Sequence, residues 1–169
     1  MVRSHDAAIV QSMIPFAAVS GAEIGTSIHV IAAIAGIGPL FVQPLLLSHV
    51  RKRDQGALPG AMTAMLWMNR ALVTPGLIIV LLAGLYLVGN GQGEFSEPWV
   101  SYGLAAVIVI LGLVGAVITP RLRKGAELAK AGNASSDEFA SIAKVLDLAW
   151  WGCIVISTIA VFLMYIQPS

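Results

Sequence analysis

The sequence predicts an all-α integral membrane protein folded as an antiparallel four-helix bundle. Three observations predict it. Of the 169 residues, 57% are hydrophobic and only 11% are charged, whereas a soluble domain carries about 25% charged residues. Mean hydropathy is +0.85. Four apolar runs are each long enough to cross ~30 Å of hydrocarbon, which takes about 20 helical residues. The charges are also sorted by connection, with eight of the ten Lys and Arg in the first and third. Continuous apolar runs cannot alternate as barrel strands do, so helices must satisfy the backbone in lipid. This composition excludes a disordered chain, a coiled coil and a disulfide scaffold. A net charge of +1 argues against a nucleic-acid partner.

Residues 1–20 have an apolar middle interrupted by Gln11, Ser12 and Pro15. The run is too short to span, so an interfacial segment on the outer surface is expected. AVS before Gly21 vaguely resembles a signal-peptidase site, but the polar interruptions argue against cleavage. The four-helix domain occupies 21–169. Its first span covers about 24–47. Gly21, Gly25, His29, Ala32 and Gly36 share one face there, a close-packing stripe. Pro39 and Pro44 are expected to kink or loosen the same helix.

The first connection carries Arg51, Lys52 and Arg53. The second span covers about 71–88, in a helix beginning as early as Ala61, with Gly76 and Ala83 on one face. The second connection carries Glu94 and Glu97 and no base. The third span covers about 100–119 and holds a small-residue pair, Gly112 and Ala116. In the third connection a turn at Gly132-Asn133 is followed by Ser135 or Ser136 as N-cap, with Asp137 and Glu138 in the first turn. The last helix therefore starts well before its span, about 148–166.

The positive-inside rule places the two basic connections in the cytoplasm, and both termini and the acidic connection outside. A prokaryotic inner membrane fits. The same orientation puts Trp67, Trp150 and Trp151 at the inner interface, with Tyr86, Trp99, Tyr102 and Tyr165 at the outer one.

Ionisable groups within lipid are functional candidates. His29 is the principal one, at a depth shared by Tyr86, Tyr102, Met164 and Tyr165. Three readings of it stand open: an interhelical hydrogen bond, a haem or metal ligand, and a proton relay. A His29–Met164 ligand pair matches in depth. A His29–His49 pair does not, because twenty residues of helix separate them by ~30 Å. Near the inner side, Asn69, Arg70 and Asp147 form a structural polar set. Arg70 either snorkels to lipid phosphate or pairs with Asp147. Cys153 sits in an apolar run and reads as a packing residue. No zinc spacing, nucleophile elbow, phosphate loop or dinucleotide motif occurs, and the reading leans away from an enzyme.

The first helix, IHVIAAIAGIGPLFVQPLLLSHV, the second, MNRALVTPGLIIVLLAGLYLV, and the closing FLMYIQP resemble the predicted integral membrane proteins of domain of unknown function 2269. The resemblance rests on His29, on Thr74-Pro75-Gly76 with Gly84, and on Met164 to Pro168. It implies four helices and no established activity. A more distant likeness is to haem-associated membrane protoporphyrinogen oxidases and copper-resistance D proteins. There the matching positions are His29, Gly38, Pro39 or Pro44, and His49. The oxidases also carry a lysine and a histidine in the third helix, where this chain has neither. Their activity is therefore not carried over. The expected role is an accessory or assembly subunit of a larger membrane complex, or a homo-oligomer, in the bilayer. The alternative is a haem b-binding redox or haem-handling protein using His29.

Overall fold

The structure, a computed structural model, describes residues 20–167. The surface segment expected over residues 1–20 lies outside that range, except for Ser20. Four long helices account for nearly all of the described chain: α1 (Gly21–Arg53), α2 (Gln55–Gly89), α3 (Pro98–Lys130) and α4 (Asp137–Ile166). Each is long and apolar enough to cross a membrane.

The helix ends follow local chemistry. Ser20 opens α1 with a reciprocal cap: its hydroxyl accepts from Glu23 N–H at 3.2 Å, and the Glu23 carboxylate accepts from Ser20 N–H at 2.7 Å. Arg51, Lys52 and Arg53 occupy the last turn, where cations favour the helix dipole. The helix runs on through Pro39 and Pro44. Asp54 caps the start of α2 by accepting from Ala57 N–H at 3.2 Å. Gly132, at φ +78°, turns the chain between α3 and α4. Ser136 then caps α4 by accepting from Phe139 N–H at 3.2 Å.

Two wide turns interrupt the α-helical pattern, at Asn69–Val73 in α2 and Leu113–Ile118 in α3. Both immediately precede a Thr-Pro pair. Pro75 and Pro120 have no N–H to give the carbonyl four residues back. The ladder instead bonds five back, from Thr74 N–H to Asn69 C=O and from Thr119 N–H to Val114 C=O.

The helices pack as a ring. α1 touches α2 and α4, and α3 touches the same two. Contacting positions run in opposite order on neighbouring helices. Gly36 meets Gly76 while Gly25 meets Leu87, and Gly103 meets Met164 while Gly125 meets Ile142. At the Gly36–Gly76 crossing backbone meets backbone. A Cβ on Gly76 would lie 2.7 Å from Gly36 Cα, so glycine lets the two backbones approach. The third-span pair Gly112 and Ala116, by contrast, is exposed, and Gly112 has open space around it.

The core is uneven along the bundle. The half nearest the basic connections holds one large apolar cluster that includes Leu40, Met62, Met65, Ile118, Leu122 and Trp150. The other half has only a small one, Ala32, Val80 and Val107. Outward-facing Ile31, Ile34, Leu45 and Leu148 are exposed, as a lipid-facing surface requires. The first half is the basic end of the bundle and the second, beside Glu94 and Glu97, the acidic end.

Candidate functional site: the acidic-end cavity

The sparse packing at the acidic end leaves a cavity of about 290 Å³ between all four helices and the α2–α3 connection. α1 contributes His29, which sits on the small-residue face with Gly25, Ala32 and Gly36. Its imidazole lies over Gly84 of α2, where a Cβ would stand 3.5 Å from His29 Cε1. A methyl at 84 would make ordinary van der Waals contact with the ring. His29 is half-buried, and its Nδ1 is buried against the α2 backbone at Val80 and Gly84, with the Val80 carbonyl as the acceptor at hand but no hydrogen bond of good geometry.

Met164 of α4 reaches the same cavity and rests its Cε methyl against Gly103 of α3. The fold therefore brings His29 and Met164 to one space, as their depth in the sequence suggested. Phe95 enters from the connection and Trp99 from the first turn of α3, and Gln92 and Gln167 add amides. Trp99, expected at an interface, thus lines the cavity. Tyr86, Tyr102 and Tyr165 are exposed. None of the three lines the cavity.

The cavity can do limited chemistry. It offers one imidazole, one thioether, amides and aromatic faces. Among the described residues, no group of three His, Cys, Asp or Glu is placed to hold a metal ion. For a haem, the imidazole and thioether are suitable axial donors. Among the described residues no cation lines the cavity to meet propionates, and Glu94 and Glu97 stand in the adjoining connection. The volume is also at the bottom of the range for ligand pockets, roughly 300–1,000 Å³. The donors fit the group; the charge and the size fit something smaller and neutral.

The basic-end polar residues separate. Asn69 is fully buried at the start of the wide turn in α2. Its Oδ1 accepts from Gln43 Nε2 at 2.9 Å, and Gln43 Oε1 accepts from Trp150 Nε1 at 2.9 Å. Asn69 Nδ2 is buried without a partner. This chain joins α1, α2 and α4 inside the core. Trp150 therefore belongs to the interior, while Trp67 and Trp151 are exposed. Arg70 is exposed, and among the described residues no ion pair joins it to Asp147. Asp147 instead shares a second cavity with Arg51 and Lys52. Cys153 is a buried free thiol.

Comparison with known families settles the grouping. The family of predicted integral membrane proteins DUF2269 matches residues 25–168. The chain belongs to that family. No curated protein and no solved structure matches it. The matched range takes in α1 from Gly25 onward, all of α2 to α4, His29 and the whole acidic-end cavity.

Proposed function

We propose that this chain is a small membrane subunit whose own chemistry is binding. Its acidic-end cavity takes a compact, neutral, largely apolar molecule that carries one hydrogen-bonding atom. The observation that carries this reading is the half-buried imidazole of His29 lining an otherwise apolar and aromatic space. Its Nδ1 faces the α2 backbone, which leaves Nε2 to meet the ligand atom. Phe95 and Trp99 supply faces for a flat ring. A short-chain benzoquinone is a suitable probe of this class. It should quench Trp99 fluorescence saturably in the wild type and at least tenfold more weakly in His29→Ala. Equal quenching in both proteins would end the proposal.

Within the membrane the subunit serves an accessory or assembly role, in a larger complex or with its own copies. Gly112, Gly115 and Ala116 support this, since they form an exposed small-residue strip on α3, and small residues let a second membrane helix approach closely. Gly112→Leu should weaken co-purification of a partner or shift the oligomer to monomer. The orientation that fits is basic connections in the cytoplasm and both termini outside.

A second reading has one observation in its favour: His29 and Met164 line the same cavity. A haem b held by that pair would give a Soret band in protein extracted from its own membrane. Loss of the band in both His29→Ala and Met164→Leu would support it, and a colourless protein would dispose of it.

A further inference from the structure

A second cavity, of about 490 Å³, opens at the basic end. It lies between the last turn of α1, the first turn of α2 and the α3–α4 turn with the start of α4. Its chemistry differs from that of the first cavity. Arg51 and Lys52 supply two cations, and Asp147 supplies one carboxylate. Among the described residues neither cation forms an ion pair. The Ser135 hydroxyl and the Gln55 amide add neutral donors on the same wall. Ser48 and Ser136 contribute less as donors, because their hydroxyls already donate to Leu45 C=O at 2.9 Å and Asn133 C=O at 2.8 Å.

We propose that this cavity binds a phosphate-bearing anion, with Arg51 and Lys52 as its charged contacts. A planar guanidinium beside an ammonium is a pairing suited to phosphate oxygens. The charge balance narrows the class. Two cations and one carboxylate leave one positive charge, which a monoanionic phosphodiester neutralises. The depth agrees with that class. The apolar run of α1 ends at Leu47, and Arg51 stands one turn beyond, at the level of the lipid headgroups. The wall also carries Leu58 and Ala140, an apolar side for a glycerol moiety. An anionic phospholipid headgroup and a free phosphate share this chemistry, and experiment separates them.

The test is native mass spectrometry of the full chain in detergent, titrated with short-chain phosphatidylglycerol and, separately, phosphatidylcholine. One saturable phosphatidylglycerol site is expected, with phosphatidylcholine several-fold weaker. The double variant Arg51→Gln, Lys52→Gln should bind phosphatidylglycerol roughly 25-fold more weakly, about fivefold per cation. The swap Arg51→Lys, Lys52→Arg keeps the charge and should stay within about threefold of wild type, which controls for folding. Lys144→Gln, at an exposed lysine outside the cavity, should change binding less than twofold. Displacement by inorganic phosphate identifies phosphate itself as sufficient, and resistance to it assigns the site to lipid. Both results uphold an anion site. Equal binding of the two lipids, or undiminished binding in the double glutamine variant, would overturn it.

Discussion

The buried chain Trp150–Gln43–Asn69 allows a sharp stability prediction. Gln43 sits in its middle, accepting from Trp150 and donating to Asn69, each at 2.9 Å. Gln43→Leu keeps the volume and removes both bonds. A hydrogen bond between membrane helices contributes roughly 0.6–1.7 kcal/mol, so the substitution should cost about 1–3 kcal/mol. Asn69→Leu removes only one of the bonds. It also removes Nδ2, which is buried and unpaired already. It strands Gln43 Nε2 in exchange, so its net cost should fall below that of Gln43→Leu, which strands both Trp150 Nε1 and Asn69 Oδ1. The order is the informative part, since both residues are fully buried amides and side-chain type alone does not rank them. Unfolding in mixed micelles, followed by far-ultraviolet circular dichroism, gives both values. A cycle of Gln43→Leu with Trp150→Phe should show a coupling of about 0.6–1.7 kcal/mol. If Asn69→Leu proves the costlier change, or Gln43→Leu lies within 0.5 kcal/mol of wild type by the same scale, the hydrogen-bond assignment is wrong.

Four further outcomes follow from the structure. Gly76→Leu should destabilise by about 1–3 kcal/mol or more, because its Cβ would meet Gly36 backbone at 2.7 and 2.8 Å. Gly112→Leu, with open space around it, should be neutral or stabilising for the isolated chain, and the same unfolding assay compares them. Ser136→Ala should lower stability by about 1 kcal/mol through loss of the α4 cap, with faster amide exchange at Phe139 as the local sign. Cys153, fully buried, should resist a membrane-permeant maleimide in the folded protein and react on unfolding, as mass spectrometry would show.

The four helices were legible because lipid leaves the backbone one economical solution, and each apolar run reported it. Their ends were less so. α2 begins at Gln55 and α3 runs on to Lys130 because the segments beyond the apolar spans pack on each other, Met62 against Gly125. Hydropathy cannot see that contact. The Ser136 cap and the Gly132 turn were readable because both rest on local chemistry. The facing of Trp150 was not. Trp150 and Trp151 share depth and residue type, and only their rotation about α4 buries one and exposes the other. Gln43 alone gave no reason to expect two partners from distant helices. The wide turns had a signal that was overlooked, a Thr-Pro pair in each of α2 and α3. His29 stood out in the sequence as a lone ionisable group on a small-residue face, whereas Phe95 and Trp99 reach it only through the fold of the α2–α3 connection.

The central claim is that His29 organises a binding site at the acidic end. The most direct measurement is mass spectrometry of an organic extract of the chain purified from its own membrane, wild type against His29→Ala. The account predicts a small neutral molecule at close to one per chain in the wild type, and less than about a tenth of that in the variant, the loss expected when a buried polar contact is removed. Matching extracts from two equally folded proteins would contradict it.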